Sequence, residues 1–517
     1  MNTKLFQTMT LSKKNPFTAV NEAGGRAYNL TDEHALIQYV VTGCFSNTFY
    51  ATADEQLEKV KDLASRVKSV TLAKLAVYAH ETAKMKDTPA YLLAVLAARG
   101  ETELLRKVFN RVITNSKMLC NFVQIIRSGV TGRKSFGTSI KKLIQEWIAD
   151  RTGEQLFKDS IGHSNPSFAD IIKMVHPKPS AKVQNAMFGY ILGKNYESKN
   201  LPKVVTQFEK FKKDNDSELP DVPFRVLTNC NLTKDHWKKI AKDMPWNTLR
   251  MNLNMLARNG VYEDNSLTRE LAAKLGNREL VRKANAFPYQ LLTTYQHTEG
   301  LPSSVTLALQ DALEAATENV PSFGENVAVC VDTSGSMGSA ITGNRGSVTS
   351  KTRCVDVAGL IAACVVRTNQ ESVVLPFDTS VHNITFNPRD SVMTNARLFA
   401  RNGGGTDCSC AVRELNQRNW KGNLVIMVSD NQSWADLYGR YRNNATGLQN
   451  EWNVFKRRNP KAKLVLIDLQ PYTTTQVSDN KDVLNVGGWS DEVFTVIDNF
   501  VKGKGEHFVD VVNAVEV

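Results

Sequence analysis

The chain has 517 residues, of which 42% are hydrophobic and 22% charged, and its formal net charge is +12. This length exceeds what one hydrophobic core usually holds, so two or three domains are expected. No run of about 18 apolar residues is present, which argues against a membrane-spanning helix.

The cysteines point to a reducing environment. None of the eight shows a paired zinc spacing, and several lie inside apolar runs, as buried free thiols do. The segment Met1–Lys14 lacks the apolar core of a secretory signal. We therefore expect a cytoplasmic protein that acts as a monomer and has no membrane partner.

The positive charge lies entirely in the first part of the chain. Residues 1–324 contain 44 Lys and Arg against 32 Asp and Glu, whereas residues 325–517 contain 20 of each kind. A basic surface is typical of proteins that bind a polyanion such as nucleic acid. A lysine-rich surface without any such role is the plainer alternative.

Residues 30–320 show helix-period apolar patterns separated by short breaks rich in Gly, Pro, Asn and Ser. The predicted helices are 72–83, 90–98, 104–113, 119–126, 140–148, 182–193, 201–213, 233–242, 247–258, 266–275, 278–284 and 303–317. Short helices at near-even spacing favour stacked helix pairs, an all-α solenoid of HEAT type.

Strands and helices alternate beyond a linker at Val320–Gly324. The predicted strands are 326–332, 372–377, 382–386, 423–429 and 463–469, and the predicted helices are 353–369, 391–401, 407–418, 448–458 and 490–502. This alternation predicts a doubly wound α/β fold with a parallel sheet, which binds ligands at the carboxyl ends of its strands. The predicted domains are therefore residues 1–320 and residues 325–517.

Five oxygen-bearing residues follow the predicted strands. Asp332, Ser334 and Ser336 come directly after a buried strand, Thr406 follows three glycines, and Asp430 ends another apolar run. Carboxylate and hydroxyl oxygens are hard ligands that suit Mg²⁺. A Ser- and Gly-rich turn without a metal is the alternative interpretation.

The order, spacing and strand-end context of these five residues resemble the metal-ion-dependent adhesion site of von Willebrand factor A domains. The resemblance implies that they bind Mg²⁺ or another divalent cation. It also implies one open coordination position for an acidic side chain of a partner.

The whole chain resembles the Ro autoantigen family, the TROVE-domain RNA-binding proteins, including their bacterial relatives. The segments that carry this resemblance are 21–25 with Tyr28, 48–50, 132–147, 170–179, 249–253, 300–302 and 404–409. It implies a ring of HEAT-like helix pairs that is closed by the A domain. The implied function is binding in noncoding-RNA quality control, not catalysis.

In that family, the hole of the ring takes single-stranded 3′ ends of misfolded RNA, and the basic outer surface binds a small Y-type RNA. In bacterial relatives, that RNA links the protein to an exoribonuclease. The residues that we expect to contact RNA here are Arg133, Lys134, Lys141, Lys142, Lys173, His176 and Lys178. Of these, Lys173 and His176 are spaced to share one helix face.

Two other functions are alternatives to RNA binding. An enzyme is disfavoured because Ser334 replaces the second carboxylate of an Asp-x-Asp phosphatase motif. The segment Gly129–Ser135 also departs from a phosphate loop, since Arg133 intrudes and no strand precedes it. The remaining alternative is a metal-dependent adhesion or scaffold protein with a helical solenoid, whose binding would be lost on chelation rather than on adding salt.

Overall fold

The computed structural model describes residues 17–42, 45–162, 165–215, 217–284, 286, 288–318, 320–344, 346–400, 403–437, 445–489, 492–503 and 507–517. Strands β1–β8 are Ala19–Val20, Arg26–Asn29, Val327–Asp332, Val373–Phe377, Leu424–Ser429, Lys463–Asp468, Thr474–Thr475 and Val483–Gly487. Helices α1–α25 are Asp32–Thr42, Ala53–Arg66, Ser69–Glu81, Asp87–Arg99, Thr102–Val112, Ser116–Ser128, Gly137–Ala149, Gly153–Asp159, Phe168–Val175, Lys182–Leu192, Lys203–Lys213, Phe224–Leu227, Lys234–Asp243, Trp246–Met251, Leu253–Arg258, Asn265–Leu275, Arg278–Lys283, Pro288–Tyr295, Ser303–Thr317, Cys354–Thr368, Val392–Phe399, Ser409–Gln417, Gly447–Arg458, Glu492–Val501 and Phe508–Asn513.

The chain forms two compact units. The first comprises Met1–Leu63, Phe287–Thr293 and Thr317–Val511, and the second comprises Ala64–Ala286, Thr294–Ala316 and Val512–Val517. This division differs from the predicted domains 1–320 and 325–517, because residues 17–63 group with the sheet. The physical reason is pairing within the first unit: β2 pairs with β7, and α1 packs on β8.

The second unit is built of stacked helices, as the sequence predicted. Helix α3 packs on α5, and α5 packs on α7, while α4 packs on α6 and α6 on α9. Helix α4 also packs on its chain neighbours α3 and α5. The amphipathic pattern explains this arrangement, since Leu105, Val108 and Phe109 of α5 are fully or almost fully buried on the side that faces the stack.

Several helix boundaries follow sequence signals. The Asn115 side chain accepts a hydrogen bond from the backbone N–H of Met118, so it caps the N-terminus of α6. Gly129 ends the same helix in the left-handed conformation that glycine adopts without strain. Ser167 and Asp170 form a reciprocal capping box at the start of α9. These caps fix where the loops between helices begin.

The first unit contains a five-stranded parallel sheet in the order β4-β3-β5-β6-β8. Ala328 of β3 lies opposite Val373 of β4 and Val425 of β5. Ala328 and Cys330 face a core built with α22 and α23, whereas Val329 and Val331 on the opposite face are equally buried. A parallel sheet covered on both faces explains why its strands are continuous apolar runs. The predicted α/β class is thus confirmed.

Some elements differ from the sequence prediction. The predicted strand at 382–386 does not form, and Phe386 instead packs edge-on against Phe399 with ring centroids 5.2 Å apart. The predicted helix at 247–258 is interrupted at Asn252. Strand β8 was not predicted, because Asn485 breaks its apolar pattern, although this residue is fully buried. Among the described residues, no helix is long and apolar enough to cross a membrane.

Candidate metal centre and nucleic-acid interface

The turn after β3 gathers three of the predicted metal ligands. Asp332 ends the strand, and its Oδ1 accepts a hydrogen bond from the backbone N–H of Ser334 at 2.8 Å. The Ser334 and Ser336 hydroxyl oxygens lie 3.3 Å apart. All three side chains are buried, with at most 4% of their surface exposed. The turn therefore presents one carboxylate and two hydroxyls to the same small region.

The loop that carries Thr406 is tied to this turn by backbone hydrogen bonds. The N–H of Gly403 donates to the carbonyl of Thr333 at 2.8 Å, and the N–H of Gly335 donates to the carbonyl of Gly404 at 3.0 Å. Gly405 has no room for a side chain, because an added Cβ would lie 2.6 Å from the Trp434 indole. The glycine run thus allows the close approach that brings Thr406 to the β3 turn.

Asp430 reaches the same edge of the sheet from β5. It directly follows Ser429, whose hydroxyl donates to Asp332 Oδ2 at 2.5 Å. The carbonyl of Thr406 accepts hydrogen bonds from the N–H groups of Trp434 and Ala435, in the loop after Asp430. The structure therefore brings the three predicted segments of the metal site together at the carboxyl ends of β3 and β5.

Burial disfavours the charged forms of the two carboxylates. Burial raises the pKa of Asp332, the charge of Asp430 raises it further, and hydrogen bonds from Ser429 and Ser334 offset only part of this. Burial likewise raises the pKa of Asp430, against a hydrogen bond with Ser336. Among the described residues, Asp430 Oδ2 has no hydrogen-bond partner. A buried carboxylate oxygen without a partner is costly, and a hard divalent cation would satisfy it.

This donor set therefore fits Mg²⁺. It contains only two carboxylates, Asp332 and Asp430, and its other oxygens come from hydroxyls. Within the described ranges, no group of three or more His, Cys, Asp or Glu side chains is placed to hold a metal ion. The candidate site is not such a group, because it has two carboxylates and its other ligands are hydroxyls.

The predicted RNA-contact residues lie in the second unit, around α7 and the end of α9. Lys141 and Lys142 are on α7, where Lys142 is exposed and Lys141 half-buried. Gln145 of the same helix donates from Nε2 to the carbonyl of Val175 at 2.5 Å. Since Gln145 is four residues after Lys141 and three after Lys142, this bond places both lysines on the side of α7 near the end of α9.

Three more predicted contacts lie at the end of α9 and just beyond it. Lys173, His176 and Lys178 are all exposed. The expected helical spacing of Lys173 and His176 does not apply, because α9 ends at Val175 and His176 takes a left-handed conformation with φ 50°. Lys173 pairs only loosely with Asp170, at 3.8 Å in solvent. These three side chains are accessible to a polyanion.

The Arg133 side chain is held by hydrogen bonds to backbone carbonyls. Its guanidinium donates to the carbonyls of Ser135 at 2.7 Å, Phe136 at 2.8 Å and Ala97 at 2.9 Å. Most of its donors are thus occupied in holding the loop before α7. Its neighbour Lys134 is exposed.

Sequence reasoning did not single out Arg127, which is exposed at the end of α6. Its guanidinium contacts the Met174 sulfur of α9 at 2.8 Å. The sequence signal for this residue is a basic side chain in the last turn of a helix, shortly before the Gly129 cap. Arg127 adds a cation to the group on α7 and α9.

A stacked-helix region and a parallel sheet with an oxygen cluster at its strand ends define the class of this protein: a helical-repeat protein with a von Willebrand factor A domain. The Ro60 vWA domain family matches residues 326–501. Over these residues the chain is similar to the Ro60 family.

Similarity to family members extends beyond the A domain. The chain is 22% identical over 543 residues to the RNA-binding protein RO60 of Deinococcus radiodurans, covering 94% of this chain and 95% of that protein. It is 24% identical over 282 residues to the RNA-binding protein RO60 of Caenorhabditis elegans, covering 50% and 41% of the two chains. The crystal structure of the Deinococcus radiodurans RO (RSR) protein has a TM-score of 0.65 at 18% identity, covering 92% of this chain and 100% of that chain. The last comparison shows a shared fold.

Proposed function

We propose that this protein binds noncoding RNA as a non-catalytic component of RNA quality control. It takes single-stranded 3′ ends of misfolded RNA in the hole of the ring that the family resemblance implies. It binds a Y-type RNA on its basic outer surface, and that RNA links it to an exoribonuclease. The observation that supports this most is the cluster of exposed cations on α7 and at the end of α9.

The physical argument rests on phosphate neutralisation. Lysines on a rigid helical scaffold present ammonium groups at fixed spacing, and each contact with a phosphate releases counterions. Such contacts give affinity without reading the base sequence. A protein that accepts defective RNAs of many sequences needs recognition of this kind, with an accessible single strand as the selected feature.

We further propose that Asp332, Ser334, Ser336, Thr406 and Asp430 hold Mg²⁺ or another divalent cation. When bound, the ion would supply a Lewis-acidic position for an acidic side chain. This chain's own residues would orient the ion through the β3 turn and exclude bulk water by their burial. The metal site and the cationic cluster lie in different units, so we expect their ligands to bind independently.

A charge-neutralising variant tests RNA binding. Lys141→Gln, Lys142→Gln, Lys173→Gln and Lys178→Gln are combined, and fluorescence anisotropy is measured with a hairpin RNA that carries a single-stranded 3′ tail. We expect the dissociation constant to rise at least tenfold. The slope of log affinity against log salt should shrink by roughly 0.7 for each lysine that contacts a phosphate.

The matched control removes four exposed cations from the first unit: Lys421→Gln, Arg457→Gln, Lys461→Gln and Lys481→Gln. It lowers the net charge equally and should bind RNA nearly as the unaltered protein does. Equal weakening by both variants would show a net-charge effect without a site. The adhesion alternative predicts no RNA binding, together with a protein ligand that is released by chelating Mg²⁺.

A further inference from the structure

An aromatic residue from the N-terminal part of the first unit lies at the candidate metal centre. The Tyr50 hydroxyl shares a side-chain hydrogen bond with Ser336, one of the predicted ligands. Its ring packs edge-on against Tyr472, with centroids 6.0 Å apart, and against Phe49 at 4.7 Å. The phenol oxygen of Tyr50 is thus held beside the β3 turn.

The segment that carries Tyr50 is fixed to the loop after the β3 turn. The backbone N–H of Asn344 donates to the carbonyl of Asn47 at 2.6 Å. Asn47 Oδ1 accepts from the N–H of Ala53 at 2.7 Å, and the Gln56 side chain donates to the carbonyl of Ser46 at 2.5 Å. These bonds tie both ends of the segment. Tyr50 is therefore positioned at the site by its own backbone.

We propose that Tyr50 closes the metal site from within, its hydroxyl competing with an external carboxylate for the open coordination position. This role rests on the metal site proposed above. A phenol oxygen is a hard donor like the hydroxyls beside it, but a carboxylate is the stronger ligand for a divalent cation. An acidic partner can then displace it, at the cost of the Ser336 hydrogen bond and the packing on Tyr472.

The test uses Mn²⁺ as the metal and acetate as the carboxylate. Water-proton relaxation measures the affinity for Mn²⁺, and calorimetry measures the affinity of the Mn²⁺-loaded protein for acetate. Both are measured for the unaltered protein and for Tyr50→Phe. We expect acetate to bind Tyr50→Phe about tenfold more tightly, the effect of losing one competing polar contact. The affinity for Mn²⁺ should change by less than about threefold.

Tyr28→Phe is the matched control, because the Tyr28 hydroxyl bonds Thr446 in the same unit. It should bind Mn²⁺ and acetate as the unaltered protein does. In a second variant, Asn47→Ala loosens the segment and keeps the phenol, and it should raise acetate affinity in the same direction.

The outcomes separate the two proposals. Equal acetate affinity for Tyr50→Phe and the unaltered protein, both loaded with Mn²⁺, would overturn the role of Tyr50 and leave the metal site standing. No Mn²⁺ binding by either protein would overturn the metal site itself.

Discussion

The Gln145 side chain of α7 donates a hydrogen bond to the backbone carbonyl of Val175, the last residue of α9, at 2.5 Å. This bond satisfies a carbonyl at a helix C-terminus, where no intrahelical donor exists. It also fixes the distance between the lysines of α7 and the cations that follow α9. A rigid spacing matters for a polyanion, because phosphates along a strand are themselves regularly spaced.

Gln145→Ala should therefore weaken RNA binding without changing charge. The loss of one hydrogen bond costs about 1 kcal/mol of stability, and the end of α9 becomes free to move relative to α7. We expect a several-fold rise in the dissociation constant for tailed RNA by anisotropy. Gln124→Ala, at an exposed position of α6, is the control. If both variants bind RNA equally, the spacing of the two helices is unimportant.

Substitutions of Arg133 and Lys134 should distinguish a structural role from a role in RNA binding. Arg133→Met removes three hydrogen bonds to backbone carbonyls and should lower the free energy of unfolding by about 1–3 kcal/mol. Lys134→Met should change stability by less than about 0.5 kcal/mol, as an exposed position does. Thermal and urea unfolding measure both. A large RNA defect in a fully stable Arg133→Met protein would contradict the structural role.

Asp332→Asn should abolish stabilisation by divalent cations. An ion that binds only the folded state raises stability in proportion to the logarithm of its concentration above the dissociation constant. Unfolding with and without MgCl₂ should therefore give a difference for the unaltered protein and none for Asp332→Asn. Affinity for tailed RNA should be unchanged. Loss of RNA binding together with loss of the ion effect would show that the two sites are coupled.

The pair of His34 and Asp479 predicts a dependence of stability on pH. Burial raises the pKa of Asp479, but the hydrogen bond and charge of His34, with hydrogen bonds from Asn485, lower it overall. His34 Nδ1 lies 2.8 Å from Asp479 Oδ2. A carboxyl with a depressed folded pKa contributes stability above its unfolded pKa, near 4, and loses it as the pH falls through the folded value.

His34→Gln removes the imidazole that holds Asp479, so the pKa of Asp479 should rise and acid unfolding should begin at a higher pH. Circular dichroism during acid titration measures the shift. His236→Gln, which keeps a side chain suited to the capping box of α13, serves as the control. An unchanged acid midpoint in His34→Gln would show that this pair does not stabilise the attachment of α1 to the sheet.

The elements that the sequence predicts correctly are those that a local apolar pattern encodes. The buried parallel strands are continuous apolar runs, so Asp332 and Asp430 could be placed at strand ends from the sequence alone. Strand β8 could not, because the buried Asn485 looks like a turn residue; its side chain is satisfied by the Val477 carbonyl at 3.0 Å. Pairing of Tyr28 with Thr475 joins segments almost 450 residues apart, and no local pattern reports it.

The same difference between local pattern and long-range folding applies to the residues of the candidate sites. The predicted metal ligands form a spaced motif, whereas the position of Tyr50 depends on how a distant segment folds over that motif. Arg133 was predicted as an RNA contact because charge is visible in a sequence. The three carbonyls that surround its guanidinium are not visible there, since backbone acceptors are the same for every residue.

The salt dependence of binding to single-stranded RNA tests the central claim most directly. Anisotropy with a fluorescent single-stranded RNA, from 50 to 300 mM KCl, should give a straight line of log affinity against log salt. A slope of about −0.7 for each neutralised phosphate, hence several units for the group on α7 and α9, is the predicted result. No binding, or binding that salt does not change, would contradict the account.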